Sequence, residues 1–142
     1  MISTDVCKDE CLIRVKISGL PEPTLIVKML DELNTLVSQD PSLGILIDET
    51  DLRPSFVGPG DIGRFAQAWR RGTALPSSRI AVFVSNPAMY GLNRMFQGLI
   101  GHDGEGRMSV FTDRERAIAW LQVSETGAGV SSDTPSQVAG RR

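Results

Sequence analysis

The sequence predicts an α/β fold: an open, largely parallel sheet of four to five strands, built from consecutive right-handed strand–helix units. Three observations predict it. "GILID" (44–48) and "RIAVFVS" (79–85) are nearly continuous apolar runs, as strands buried on both faces require. Stretches with apolar residues at helical spacing lie between them. Strands and helices alternate along the chain, and strands joined by helices pair in parallel through right-handed crossovers.

In "CLIRVKI" (11–17), Leu12, Arg14 and Lys16 alternate with Ile13, Val15 and Ile17, the pattern of a strand with one wet face. "GLPEP" interrupts it, and Thr24 can cap the next element. Ile26, Met29, Leu30, Leu33, Leu36 and Val37 then predict a helix over 25–37, ended by the loop "SQDPSLG". After "GILID", a polar passage leads to a second helix with Ile62, Phe65, Ala66 and Trp69 inside and Gly72 at its stop. Asn86 and Pro87 suit the N-cap and first position of a third helix running to about Ile100. "GHDGEG" reads as a turn, "MSVF" (108–111) as a strand. Thr112 or Asp113 caps a last helix with Ala117, Ile118, Trp120 and Leu121 inward. Residues 1–10 read as an N-terminal extension, 11–123 as the domain and 124–142 as a disordered tail.

At 142 residues the chain suits one core. A net charge of −2 gives no electrostatic reason to expect nucleic acid or an anionic membrane as partner. The start carries Asp5, Asp9 and Glu10 with no apolar run, unlike a signal peptide, and no stretch reaches membrane-spanning length. Cys7 and Cys11 fit neither a redox pair nor a zinc half-site, and read as free thiols of a cytoplasmic protein.

In the third helix Ala88, Leu92, Met95 and Leu99, widened by Met89, Phe96 and Ile100, predict the face that packs on the sheet. Gly91 and Gly98 suggest close backbone approach. Tyr90, Arg94 and Gln97, with Asn93 beside them, form a second stripe. A tyrosine and an arginine one turn apart can stack or jointly receive an anion or a partner's carboxylate.

Those residues also carry a resemblance. "AVFVSNPAMYGLNRMFQGL" and "MSVFTDRERAIAWL" resemble the SpoIIAA-like family, STAS-type domains related in fold to anti-sigma-factor antagonists and to CRAL-TRIO domains. The matching positions are Arg79, Ala81, Val82, Tyr90, Gly91, Arg94, Met95, Val110, Phe111, Asp113, Ala117, Trp120 and Leu121, with the resemblance spanning about 11–122. It implies a right-handed superhelix of strand–helix turns that often self-associates and has no established catalytic activity. The antagonist branch is switched by phosphorylation of a serine at the start of the second helix. Here "PSFVGPGDIG" stands, and its candidate, Ser55, lacks the acidic residue immediately before it.

Ligands of open α/β sheets sit beyond the carboxyl ends of the strands. Asp48, Glu49, Thr50, Asp51 and Arg53, then Ser85 and Asn86, stand there. The acidic "DETD" lacks the spacing of aspartate phosphotransfer sites. His102 has no nucleophile in plausible partnership, and "GPGDIG" follows a loop rather than a strand. The expectation is a non-enzymatic interaction module without metal or cofactor, homodimeric through Tyr90, Arg94, Gln97 and Asn93, with Trp69 as a further candidate. The alternative is a sensor for a small molecule, anion or lipid headgroup at the strand ends, using Asp48, Asp51, Arg53, Ser85 and Asn86.

Overall fold

The computed structural model describes residues 1–53, 58–72, 74–104 and 107–126. Its five strands are β1 (Ile2–Cys7), β2 (Leu12–Gly19), β3 (Gly44–Leu52), β4 (Ile80–Phe83) and β5 (Met108–Phe111). Four helices follow the last four strands: α1 (Pro23–Gln39), α2 (Pro59–Arg71), α3 (Pro87–Gly104) and α4 (Arg114–Thr126). The sheet order is β1-β2-β3-β4-β5, parallel from β2 to β5 and antiparallel at β1.

The N-terminal residues are therefore not an extension. Ile2 pairs with Ile17 and Cys7 with Leu12, making β1 an edge strand. Its polar residues Ser3, Thr4 and Asp5 hid it, because an edge strand covered on one side needs little apolar content. A 3-10 turn at Lys8–Glu10 joins it to β2, closed by Cys11 at φ 56, a left-handed conformation that costs a non-glycine residue. At the other end α4 runs through Thr126, three residues into the segment read as tail, and the remainder of that segment lies outside the described residues.

The strand order decides how the helices are layered. Parallel crossovers are right-handed almost without exception, so crossovers that advance in one direction set their helices on the same face. α1, α2 and α3 accordingly share one face. Ile26, Leu30 and Leu33 of α1, Phe65 and Trp69 of α2, and Met89 and Ile100 of α3 pack over Ile13, Val15, Ile45, Ile47, Ile80 and Val82. α4 follows the last strand, is no crossover, and takes the opposite face, where Ala117 and Leu121 cover Leu12, Leu46 and Ala81. Arg79 stacks over Trp120 there, 3.9 Å from the ring centroid. Fully burying one such leucine or isoleucine is worth about 1.5–3 kcal/mol, so the three-helix layer dominates the core.

Local chemistry agrees with most expected boundaries. The expected cap is corrected at α1, where Glu22 and not Thr24 holds the N-cap position and Pro23, its fixed φ suiting the first turn, starts the helix two residues before Leu25. Asn86 Oδ1 accepts from the Met89 N–H at 2.9 Å, and Asp113 Oδ1 from the Glu115 N–H at 3.0 Å, capping α3 and α4. Gly72 ends α2 where a Cβ would run into the Asn34 side chain, whose Oδ1 accepts from the N–H groups of Ala74 and Leu75. α3 continues past Ile100 but kinks at Gly101, φ 48, a conformation glycine alone adopts freely. No helix among the described residues is long and apolar enough to cross a membrane.

Candidate functional site

β3 does not stop at Asp48. It continues through "ETDL" to Leu52, and side chains along a strand alternate between faces. Ile45 and Ile47 point under the helices, so Glu49, two positions on, must point there too. It is 9 % exposed. Its Oε1 accepts from Asn93 Nδ2 at 2.6 Å, and the same amide nitrogen donates to the Met89 carbonyl at 2.9 Å. Burial penalises the charged form and pushes the carboxyl up to about 7, the neighbouring charge of Asp48 adding to the rise and the Asn93 bond opposing it.

Glu49 and Asn93 are the polar residues in the wall of a cavity of about 80 Å³ between the sheet and α1, α2 and α3. Ile17, Met29, Phe65, Trp69, Leu92 and Phe96 supply much of the rest. A void of that volume forfeits about 2 kcal/mol of packing at roughly 24 cal/mol per Å³. Trp69, 1 % exposed, meets Phe96 nearly edge to face, with ring centroids 5.8 Å apart. Its Nε1 has no hydrogen-bond partner among the described residues, and an unmet buried donor costs about 1–3 kcal/mol.

Each strand-end residue expected to hold a ligand has a partner elsewhere in its surroundings. Asp48 Oδ1 accepts from the N–H and the hydroxyl of Thr50, at 2.9 and 2.6 Å. Asp51 pairs with Lys16 at 3.2 Å, and Ser85 Oγ donates to the Thr50 carbonyl at 3.0 Å. Asn86 spends its oxygen on the α3 cap. Arg53 is exposed, its N–H bonded to the Gly19 carbonyl. The set is brought to one end of the sheet, where Asp48, Ser85 and Asn86 bond nearby backbone groups and Asp51 pairs with Lys16 of β2. Ser55 lies outside the described residues.

On α3 the expected sides are turned. Met89, Asn93, Phe96 and Ile100 face the core, with Leu92 and Gln97 at the margins. Ala88 and Arg94 are exposed, as are Tyr90, Met95 and Leu99 at 37, 52 and 48 %. The helix carries apolar residues nearly all round, so spacing alone fits two stripes, and the polar Asn93 inside the true one favours the wrong choice. Of the four residues expected to form a contact face, Tyr90 and Arg94 are exposed. Asn93 is buried on Glu49, and Gln97 donates to the Met108 carbonyl at 2.7 Å. Trp69 is buried and belongs to no surface. Among the described residues nothing lies within 4 Å of a Cβ built at Gly91 or Gly98, so the close approach expected there is not made by them.

Glu49 stands among the strand-end residues of the sequence but outside the candidate set drawn from them, and its inward setting is what sequence reasoning missed. Its signal was the period of two through Ile45, Ile47 and Glu49, masked because four polar residues in a row read as a loop. Comparison with protein-family models, curated proteins and solved structures finds no match for this chain.

Proposed function

We propose that the chain is a non-enzymatic, SpoIIAA-like STAS-type module that works by protein contact, its partner a second copy of itself. The observation that carries this reading is the outward face of α3. Tyr90, Met95 and Leu99 stand exposed along one helix beside Ala88 and Arg94. A helix apolar on nearly all sides is one that expects cover on both. Gly91 and Gly98 lie on the same side with open space above them, which leaves room for another backbone. Antiparallel pairing of two such helices about a two-fold axis at the level of residue 92 sets Arg94 of each copy against Tyr90 of the other, a cation–π geometry that avoids opposing the two guanidinium groups.

Several features support the SpoIIAA-like part of the reading. The strands run in sequential order, the crossover helices share one face, and Tyr90, Gly91 and Arg94 of the resemblance lie outward while Asp113 caps α4. The test is sedimentation of wild type, Tyr90→Ala, Arg94→Glu and Leu99→Asp. Wild type is expected as a dimer at micromolar concentration, with each variant weakening association at least about tenfold, or about 1.4 kcal/mol. A wild-type monomer at high micromolar concentration, or a dimer indifferent to all three changes, overturns the proposal.

A further inference from the structure

We infer that the outer edge of β1 pairs antiparallel with β1 of a second copy, joining two sheets edge to edge about a two-fold axis at Thr4. β1 and the β4–β5 crossover that carries α3 lie at opposite ends of the sheet, so this contact does not depend on pairing through that helix.

The backbone register decides what the edge offers. The Met1 amino group donates to the Ser18 carbonyl at 2.7 Å, and the Ser18 N–H donates to the Met1 carbonyl at 2.9 Å. Opposed residues of an antiparallel ladder alternate between bonded and non-bonded pairs. Ser3, Asp5 and Cys7 therefore bond β2, and the N–H and C=O groups of Ile2, Thr4 and Val6 point away from it. Among the described residues no strand lies beyond β1 to receive them.

The strand complements itself in that setting. A two-fold at Thr4 sets Ile2 against Val6 of the other copy, Thr4 against its counterpart, and Ser3 against Asp5. Outward backbone groups then meet outward groups, with two bonds in each bonded pair. Apolar side chains oppose apolar ones, threonine opposes threonine, and each Asp5 faces a hydroxyl rather than the other carboxylate.

The side chains have a place to go. Ile2 and Thr4 line a groove of about 370 Å³ with Leu25, Lys28, Met29 and Glu32 of α1. Leu25 is exposed in it, and Val6 is exposed on the same face of β1. The groove's charges, Lys28 and Glu32, have opposite signs, so two copies bring no excess of like charge together. Common protections of an edge are missing: β1 has no lysine, proline or bulge, and its one charge, Asp5, stands opposite Arg14. The other edge, β5, is kept to four residues. One strand pair is a small contact, so it forms above the concentrations at which α3 pairs.

Cross-linking of the full chain tests the register, in a Cys7→Ser, Cys11→Ser background with oxidised glutathione as oxidant. Opposed Cα atoms of a bonded pair stand about 5.5 Å apart, within disulfide reach. Thr4→Cys is expected to give a covalent pair. Ile2→Cys and Val6→Cys are expected to cross-link when mixed and hardly at all alone. In a Leu99→Asp background the cross-links are expected to persist, which separates this contact from that of α3. Should the serine background fail to fold, amide exchange on the native chain decides. Exchange at Ile2, Thr4 and Val6 is expected to slow about threefold or more between about 50 µM and about 1 mM. Thr4→Pro, which removes an outward N–H and no bond to β2, is expected to abolish that slowing at Ile2 and Val6. The inference is overturned by the absence of a Thr4→Cys cross-link at about 1 mM, or by Ile2→Cys linking to itself as readily as to Val6→Cys. Exchange that ignores concentration, or slowing that survives Thr4→Pro, overturns it equally.

Discussion

Two pairs of sequence neighbours divide this molecule into an inside and an outside. On β3, Asp48 spends its carboxylate on Thr50 at the sheet's less covered face, whereas Glu49 is driven beneath three helices and bonds Asn93. On α3, Met95 stands half in solvent, whereas Phe96 closes on Trp69. Each pair joins residues of similar chemistry whose environments differ only by the period of the backbone that carries them. The difference teaches that sidedness, and not residue type, decides which groups here have functional potential: Asp48 is held by a residue two positions on, and Glu49, displaced by a single position, is buried on a partner 44 residues away.

That contrast can be broken most forcefully at Glu49. Its folded carboxyl titrates near 7 against an ordinary value of 4.5, so between those values the folded chain keeps a proton the unfolded chain has released. Stability therefore falls as pH rises through that window and stays at its lower level above it, a loss of about 3 kcal/mol at 1.36 kcal/mol per pH unit. Glu49→Gln, which keeps an oxygen for Asn93, is expected to stabilise the chain by about that amount at pH 8 and hardly at all near pH 4. Denaturant titrations at the two pH values check it.

On α3 the comparison sharpens with a pair of truncations. Phe96→Ala is expected to cost about 2–3 kcal/mol, less than for a fully enclosed ring because Phe96 is half-buried. Met95→Ala is expected to change the folding stability of the monomer by less than about 0.5 kcal/mol. Equal costs would mean that the helix is rotated from its described setting. Asp48→Ala removes an acceptor shared by two Thr50 donors and is expected to cost about 1 kcal/mol by thermal or denaturant unfolding, between the two α3 truncations. Its sign is opposite to that of Glu49→Gln at pH 8, although the two carboxylates are adjacent.

Much of this architecture was legible in the residues. "GILID" and "RIAVFVS" announce buried strands, Asn86-Pro87 announces a helix start, and the stripe from Ile26 to Val37 matches the side of α1 that is buried. What stayed hidden has physical causes. β1 is an edge strand stabilised by pairing with β2 more than by its own side chains, so its sequence looks polar. The last four residues of β3 are mostly charged or polar, yet the parallel ladder to Ser18 and Gly19 carries them as strand. α3 is apolar on both sides, and what selects its inner side is the bond between Asn93 and Glu49, residues 44 apart in sequence. The layering of three helices against one follows from handedness and strand order, neither of which is written in periodicity.

The most direct measurement is the pH titration of the Glu49 side-chain carboxyl carbon by nuclear magnetic resonance on the full chain, assigned through Glu49→Gln. A midpoint near 7 is the result expected of a carboxyl held beneath α3 in an apolar cavity. A midpoint near 4.5, the value of a solvated glutamate, would contradict the inward setting of β3 on which the cavity depends.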